Sequence, residues 1–472
     1  VNIAFTPTGE WTFPTGTVFV KHFDLPVDEA NPKATTRLET RFLVRDPDGS
    51  VYGVTYKWRP DQREAELLEG ALTENLTLTA ALPVGPLTGV EIGNPDRPGG
   101  TTITPTGYEV RVPVAEQPGH AHSFHFAQQH RTGDFDVRVY IDAPTQVSVG
   151  LSVQEALAPD CRHVGIMLAP DDSAAGAPRA VLFRKLATAQ GAAEVKPANG
   201  AFTTGWLRMQ RVGNAFTAFT SPDGIRWSPA GTAELALPEK VHLGVAATAT
   251  KAPATAHVNQ VANVREQRWT YPGRSDCLTC HNANAKFVLG VNTRQLNGDS
   301  IDPATGRREN QLRTWSRLGL FHRTLTDADL AACAKLVDVS DTSATLEHRV
   351  RSYLDSNCGY CHRPNGSQGY FDARFDTPLA KQGIVDGPVI ADMGVAHARV
   401  IAPHDDGRSL LYERMKRCDN LKMPPLGRSV RDVAAVKAVR EWVSALPVKP
   451  PKQRLAKRLA ALGGCVALAL LL

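Results

Sequence analysis

Two short runs of the chain combine thiols and imidazole at one spacing: Cys277-Leu278-Thr279-Cys280-His281 and Cys358-Gly359-Tyr360-Cys361-His362. On a helical turn, positions i, i+3 and i+4 share a face. Two thiols can then reach the two vinyl groups of one porphyrin while the next residue presents imidazole to the iron, the pattern of covalent haem c attachment. The 472 residues include eight Cys and 14 His, and composition alone would give one such run roughly 0.004 times. The spacing therefore predicts two covalently bound haem c groups. Cys277, Cys280, Cys358 and Cys361 would form the thioethers, and His281 and His362 would bind iron. Zinc in a Cys₄ site is the competing reading. The two pairs lie 81 residues apart, however, and each carries a following His that zinc does not require. A thioredoxin-type redox pair would need a βαβ setting that neither run has.

A haem iron takes a sixth ligand or keeps an open position. Met423 lies 61 residues after His362, in the Pro-stiffened run Cys418-Asp419-Asn420-Leu421-Lys422-Met423-Pro424-Pro425-Leu426-Gly427. A thioether opposite His is common in cytochromes c, so Met423 is predicted as the second haem's distal ligand; a loop Met used as packing filler is the alternative. No Met occurs between His281 and Met393. His322, in Gly-Leu-Phe-His, is the candidate for the first haem. An open position, or a ligand from residues 1–88 such as His22, is equally allowed. Cys161, Cys333, Cys418 and Cys465 share no metal-like spacing; Cys333 and Cys418 could pair as a disulfide in an oxidising compartment. No catalytic residue is assigned.

The elements that must hold these residues change character along the chain. Residues 1–88 read as a β domain. Leu38, Thr40, Phe42 and Val44 alternate with polar neighbours, Asp46-Pro47-Asp48-Gly49 is turn chemistry, and Tyr52, Val54, Tyr56 and Trp58 alternate beyond it. From about 92 to 264, alternating runs such as Phe135, Val137, Val139, Ile141 and a Gly213-Asn214 hairpin predict an antiparallel two-sheet sandwich. Beyond Tyr271 helical periodicity appears: Leu346, Val350, Tyr353 and Leu354 share one face, as do Val433, Val436, Val439, Val443 and Leu446. The expected fold class is multidomain α+β, with an N-terminal β domain (1–88), an inserted antiparallel β-sandwich (92–264), and C-terminal α-helical class I cytochrome c-like haem domains (265–344 and 345–447). A basic then apolar tail follows (448–472).

Several of these runs resemble a family of bacterial di-haem c-type cytochromes of unassigned physiological role. The resemblance is carried by Trp11-Thr12-Phe13-Pro14, Leu38-Glu39-Thr40-Arg41, Tyr52 to Trp58, Trp269-Thr270-Tyr271-Pro272, Leu289 to Asn297, Arg351 to Leu354, Asn357 to Pro364, Ser409 to Tyr412 and Met423 to Leu426. The middle is similar to the laminin-G/concanavalin-like modules of bacterial extracellular proteins, through Ser123-Phe124-His125-Phe126, Gly133-Asp134-Phe135-Asp136, Arg162-His163-Val164 and Ser221 to Trp227. The resemblance implies an exported electron carrier. It would be periplasmic or otherwise extracytoplasmic and would relay single electrons for a redox partner such as a periplasmic dehydrogenase. A di-haem peroxidase-like enzyme with an open first haem is one alternative. A polysaccharide-docking protein with an electron-transfer module is the other, with a glycan on the sandwich.

Charge narrows the partners. Lys and Arg total 53 against 48 Asp and Glu, but Lys449, Lys452, Arg454, Lys457 and Arg458 lie in a tail without acid. The body is neutral, which argues against a nucleic-acid partner held by a basic face. The apolar stretch from Leu459 is 14 residues, short of the roughly 20 that span a bilayer. The tail is expected to be an appended or truncated segment or a weak membrane anchor.

Overall fold

The computed structural model describes residues 2–112 apart from 94 and 96, then 123–142, 147–170, 179–185, 193–197, 205–249, and 253–447 apart from 303, 304, 367 and 368. The tail from 448 on, with Cys465, lies outside the described residues. The chain divides into two compact units. One comprises the residues up to Val18, Val44–Gly53, and those from Ser275 onward; the other comprises Phe19–Leu43 and Val54–Arg274.

Strands β1 (Val18–Pro26), β2 (Thr35–Arg45), β3 (Val51–Trp58) and β4 (Ala65–Leu67) form one sheet in sequence order. The predicted hairpin is β2–β3, closed by Asp46 to Gly49, where Gly49 N–H donates to the Asp46 carbonyl and φ of Gly49 is +87°.

The sandwich is built from β5 (Leu72–Pro83), β6 (Thr88–Ile92), β7 (Gly100–Thr104), β8 (Gly107–Val112), β9 (Phe124–Thr132), β10 (Phe135–Asp142), β11 (Val147–Gln154), β12 (His163–Ala169), β13 (Arg179–Lys185), β14 (Ala193–Pro197), β15 (Trp206–Val212), β16 (Ala215–Ser221), β17 (Ser228–Glu234), β18 (Lys240–Ala249) and β19 (Ala254–Tyr271). One sheet runs β17-β16-β15-β10-β19-β8-β7, with β5 also pairing β19; the facing sheet runs β14-β13-β12-β11-β18-β9-β6. Alternation puts Val137, Val139 and Ile141 of one sheet against Val149, Leu151 and Val153 of the other, all within 3% of full burial. This period-2 pattern is what a two-sheet core requires. The predicted hairpin of 208–220 is β15–β16, in register from Trp206↔Ser221 to Val212↔Ala215.

Beyond β19 come α1 (Arg274–Cys280), α2 (Thr293–Leu296), the ribbon β20 (Asp299–Ile301) and β21 (Arg308–Asn310), then α3 (Gln311–Arg317), α4 (Asp327–Ala332), α5 (Leu346–Cys358), α6 (Leu379–Gln382), α7 (Leu410–Lys416) and α8 (Val433–Ala445). Here the expected fold class is corrected. The described chain is predominantly β, and its C-terminal part is not a pair of α-helical class I cytochrome c-like domains. Among the described residues, helices in 265–344 span seven residues or fewer, and only α5 and α8 reach 13. The reason is local. Between α5 and α7, Pro364, Pro378, Pro388 and Pro403 remove helix donors, and Asn365, Asp386, Met393, His397 and His404 adopt positive φ, which ends a right-handed helix.

The two longer helices do follow their sequence stripes. Thr345 caps α5 by accepting from His348 N–H, and Asp432 caps α8 by accepting from Ala435 N–H. Val350 and Leu354 of α5 share a core with Ala435, Val439, Trp442 and Val443 of α8. Among the described residues no helix is long and apolar enough to cross a membrane.

Candidate functional site

Both Cys/His runs fold as the spacing demands. The backbone N–H of His281 donates to the Cys277 carbonyl at 2.9 Å, and that of His362 to the Cys358 carbonyl at 2.8 Å. Each run is thus one helical turn with its first Cys and its His on the same side.

In the second run, Gly359 ends α5 by donating to the Leu354 and Asp355 carbonyls. Cys358 and His362 then face a cavity of about 250 Å³ lined chiefly by apolar side chains, among them Phe371, Val389, Val400 and Leu411. Met423 lines the same cavity, held by its N–H to the Arg414 carbonyl at 3.1 Å. The structure therefore brings three of the predicted residues, 61 to 65 positions apart in part, onto one wall system. Met415 of α7 also lines it; only its place on the buried face of α7, visible once the fold is known, could have flagged it.

The His362 ring stacks on Phe371 at 4.1 Å and 14°, and its buried Nδ1 has no hydrogen-bond partner. Burial, and secondarily Arg414, push this imidazole down to about 4. It is neutral at pH 7, the form that donates a lone pair to a metal. Burial pushes the Cys358 thiol up to about 12. An apolar cavity lined by a neutral imidazole with an unpartnered Nδ1, a half-buried thiol and a thioether offers residue types with which a haem c is held.

The first run is held differently. After α1, Asn282 accepts from Ala285 N–H and caps a short turn over Ala283–Ala285. Lys286 and Phe287 then take φ of +52° and +65°, and the chain doubles back. His281 Nδ1–H donates to the Phe287 carbonyl at 2.6 Å, which fixes the tautomer and leaves Nε2 as the donor atom. Cys277, Cys280 and His281 are all half-buried. The Cys280 thiol is raised well above its ordinary range, first by its hydrogen bond with Cys361 and then by burial.

His322, the predicted ligand of the first haem, is exposed on the segment after α3. Its Nδ1 takes the Phe5 N–H at 3.3 Å. His348 donates Nε2–H to the Lys335 carbonyl at 3.0 Å. Cys333 and Cys418 are both unbridged.

The two runs are tied together by charge that sequence reading did not single out. Arg363 is buried; it donates to the Gly359 carbonyl at 2.6 Å, to the Asn284 carbonyl at 3.1 Å and to Glu10 at 2.9 Å. Arg294 is 3% exposed and pairs with Asp355 at 2.9 Å, Glu10 at 3.3 Å and Asp376 at 3.4 Å. Buried charges persist only when paired in this way.

No family model matches the chain, and no curated protein matches it by sequence. Solved structures similar to part of it include a protein of unknown function from Saccharomyces cerevisiae (13% identity, 39% of this chain and 96% of that one, TM-score 0.28). They also include the carbohydrate-binding module CBM66 from Bacillus subtilis (14%, 35% and 91%, 0.25) and a Bacillus licheniformis β-glucanase (13%, 41% and 97%, 0.25). At these scores the likeness carries no argument; the antiparallel two-sheet sandwich stands on its own strand order.

The functional expectation is corrected accordingly. The one-electron relay for a periplasmic dehydrogenase, with its peroxidase-like and electron-transfer-module alternatives, was expected from the two Cys/His runs and the resemblance to di-haem cytochromes, and with it α-helical cytochrome c domains; the described chain is predominantly β and does not form them. Among the described residues no group of three or more His, Cys, Asp and Glu side chains gathers to hold a metal ion. The electron-carrier role and the redox partner are withdrawn.

Proposed function

We propose that this chain is a binding protein, with a glycan-docking face on the sandwich and covalently attached haem c in the unit that carries the two Cys/His runs. One observation carries the cofactor: Cys358, His362 and Met423 line a single apolar cavity. There Cys358 and Cys361 would hold the porphyrin, with His362 and Met423 on the iron; Cys277, Cys280 and His281 would hold the second group. Haem supplies an iron whose character is set by those ligands. The chain's own residues exclude water and hold the His362 imidazole against Phe371. Attachment of this kind implies an extracytoplasmic location. Denaturing mass spectrometry after maturation in a haem c-competent host tests it. Two added haem masses are expected, and one after Cys358→Ala with Cys361→Ala. Stoichiometric zinc without haem overturns it.

The glycan reading is supported by the outward face of the second sheet. Register aligns His130, His242, Gln154 and His163 across β9, β18, β11 and β12, and beside them Gln128, Gly244, Ser152 and Gly165. The Phe183 side chain occupies the space over Gly165. Gln154, Ser152 and His163 are buried, Gln128 and His242 are half-buried, and His130 is exposed, so the accessible polar groups of this face are those of Gln128, His130 and His242. Burial, then His130 and Lys240, lower His242, so the ring is neutral at pH 7; its Nδ1–H donates to Gln128 Oε1 at 2.9 Å, which leaves Nε2 to accept from a sugar hydroxyl. Glycan-array binding by the full chain is expected, with at least tenfold loss in Gln128→Ala and His242→Ala, which is about 1.4 kcal/mol. Unchanged binding in both variants overturns this face as the site.

A further inference from the structure

The second cysteine of each run faces the other run. Cys361 Sγ lies 4.0 Å from the Thr279 carbonyl oxygen, and the Cys280 and Cys361 thiols are hydrogen-bonded. Three further contacts hold the segments together. Arg363 donates to the Asn284 carbonyl at 3.1 Å, the Asn284 side-chain amide donates to the Asn365 carbonyl, and the Tyr360 hydroxyl donates to Gln295 Oε1 at 3.1 Å. Both thiols are half-buried rather than enclosed. Cys358, by contrast, lines the apolar cavity at the end of α5.

We propose that, before haem is attached, Cys280 and Cys361 form a disulfide that joins the two Cys/His runs and closes both attachment sites at once. The bond stands on the thiol juxtaposition; its consequence rests on the haem reading. The oxidant is a disulfide compound such as oxidised glutathione or an exported dithiol oxidase. One cysteine thiolate attacks the oxidant's disulfide, forming a mixed disulfide and releasing one oxidant thiol. The other cysteine thiolate then displaces the second. The Sγ–Sγ bond forms, two electrons and two protons leave the chain, and the oxidant ends as two thiols. Thioether formation consumes both thiols of a run. With one thiol of each run locked in the disulfide, neither run can be completed until a reductant reopens the bond.

The test uses the full chain exported in a host that lacks haem c maturation, alkylated on lysis and digested without reductant. A linked peptide pair carrying Cys280 and Cys361 is expected, lighter than the sum of its parts by two hydrogens and separated by dithiothreitol. It should vanish in Cys280→Ser and in Cys361→Ser. Recovery of Cys277–Cys280 or Cys358–Cys361 links instead, or of both cysteines alkylated after incubation with oxidised glutathione, overturns the bond. Haem uptake is read separately in a competent system. The oxidised chain should gain no haem until reduced, and equal uptake before and after reduction overturns the lockout. A linked pair in a chain that takes no haem under any condition leaves the bond standing and overturns the haem reading alone.

Discussion

Arg363, the residue after the histidine of the second run, donates to the carbonyl oxygen of Asn284, three residues after the histidine of the first, at 3.1 Å. The same guanidinium reaches Glu10 near the start of the chain. Two runs 81 residues apart are thus fixed to one another by a buried cation.

Glu10 holds Arg294 and Arg363 together, with 11%, 3% and 4% side-chain exposure. Glu10→Gln removes the shared negative charge and is expected to cost about 3 kcal/mol, as loss of one partner of a buried ion pair does. Urea unfolding measures it; a change below about 0.5 kcal/mol, the scale of an ordinary surface substitution, rejects the role.

The same carboxylate gives a pH dependence. Burial raises Glu10, but Arg363 and then Arg294 outweigh it, and its folded pKa lies below the ordinary 4.5. Its contribution is therefore fully present above pH 4.5 and lost as pH falls through the lowered value. Acid unfolding of the wild type should be steeper below pH 4.5 than that of Glu10→Gln. Superimposable acid slopes would remove Glu10 from the account.

Two thioethers line the cavity, and only Met423 is assigned to iron. In the haem-loaded protein, Met423→Ala should abolish the weak ferric near-infrared band of a His/Met site. Met415→Leu conserves volume and should retain it. The reverse pattern moves the ligand to α7.

Gly369 has φ of +154°, and a Cβ there would lie 2.7 Å from His362 Nδ1. Gly369→Ala should displace the imidazole from Phe371, lower stability by about 1–3 kcal/mol and reduce haem incorporation. Gly407→Ala, whose Cβ would meet only Asp405 Oδ1 at 3.6 Å, is the control. Equal thermal shifts in the two variants would reject the crowding argument.

Trp442 on α8 is 3% exposed in the core that α8 shares with α5. Trp442→Ala should cost about 3–5 kcal/mol, transfer and cavity terms together. Chemical denaturation reads this directly, and a loss under about 1 kcal/mol would mean that α8 contributes little to the core.

The sequence by itself determined what depends on near neighbours. Alternation in 38–58 and 135–141 set strands and their inward faces, because a pleated strand turns each side chain by half a revolution. Turn chemistry at Asp46 to Gly49 and Gly213-Asn214 set the hairpins. Cys-x-x-Cys-His set two helical turns, because i, i+3 and i+4 coincide on a helix. The stripes of α5 and α8 were equally plain. The character of the C-terminal part was not, since its Pro residues and positive-φ residues break helices between stripes that looked continuous in kind. Tertiary structure alone decided that Met423 and Met415 share a cavity with His362, that Glu10 bridges Arg294 and Arg363, and that Cys280 meets Cys361 rather than only its own partner in the run. Those relations join residues tens to hundreds of positions apart. Packing and the pairing of buried charge select them, and neither leaves a periodic mark on the chain.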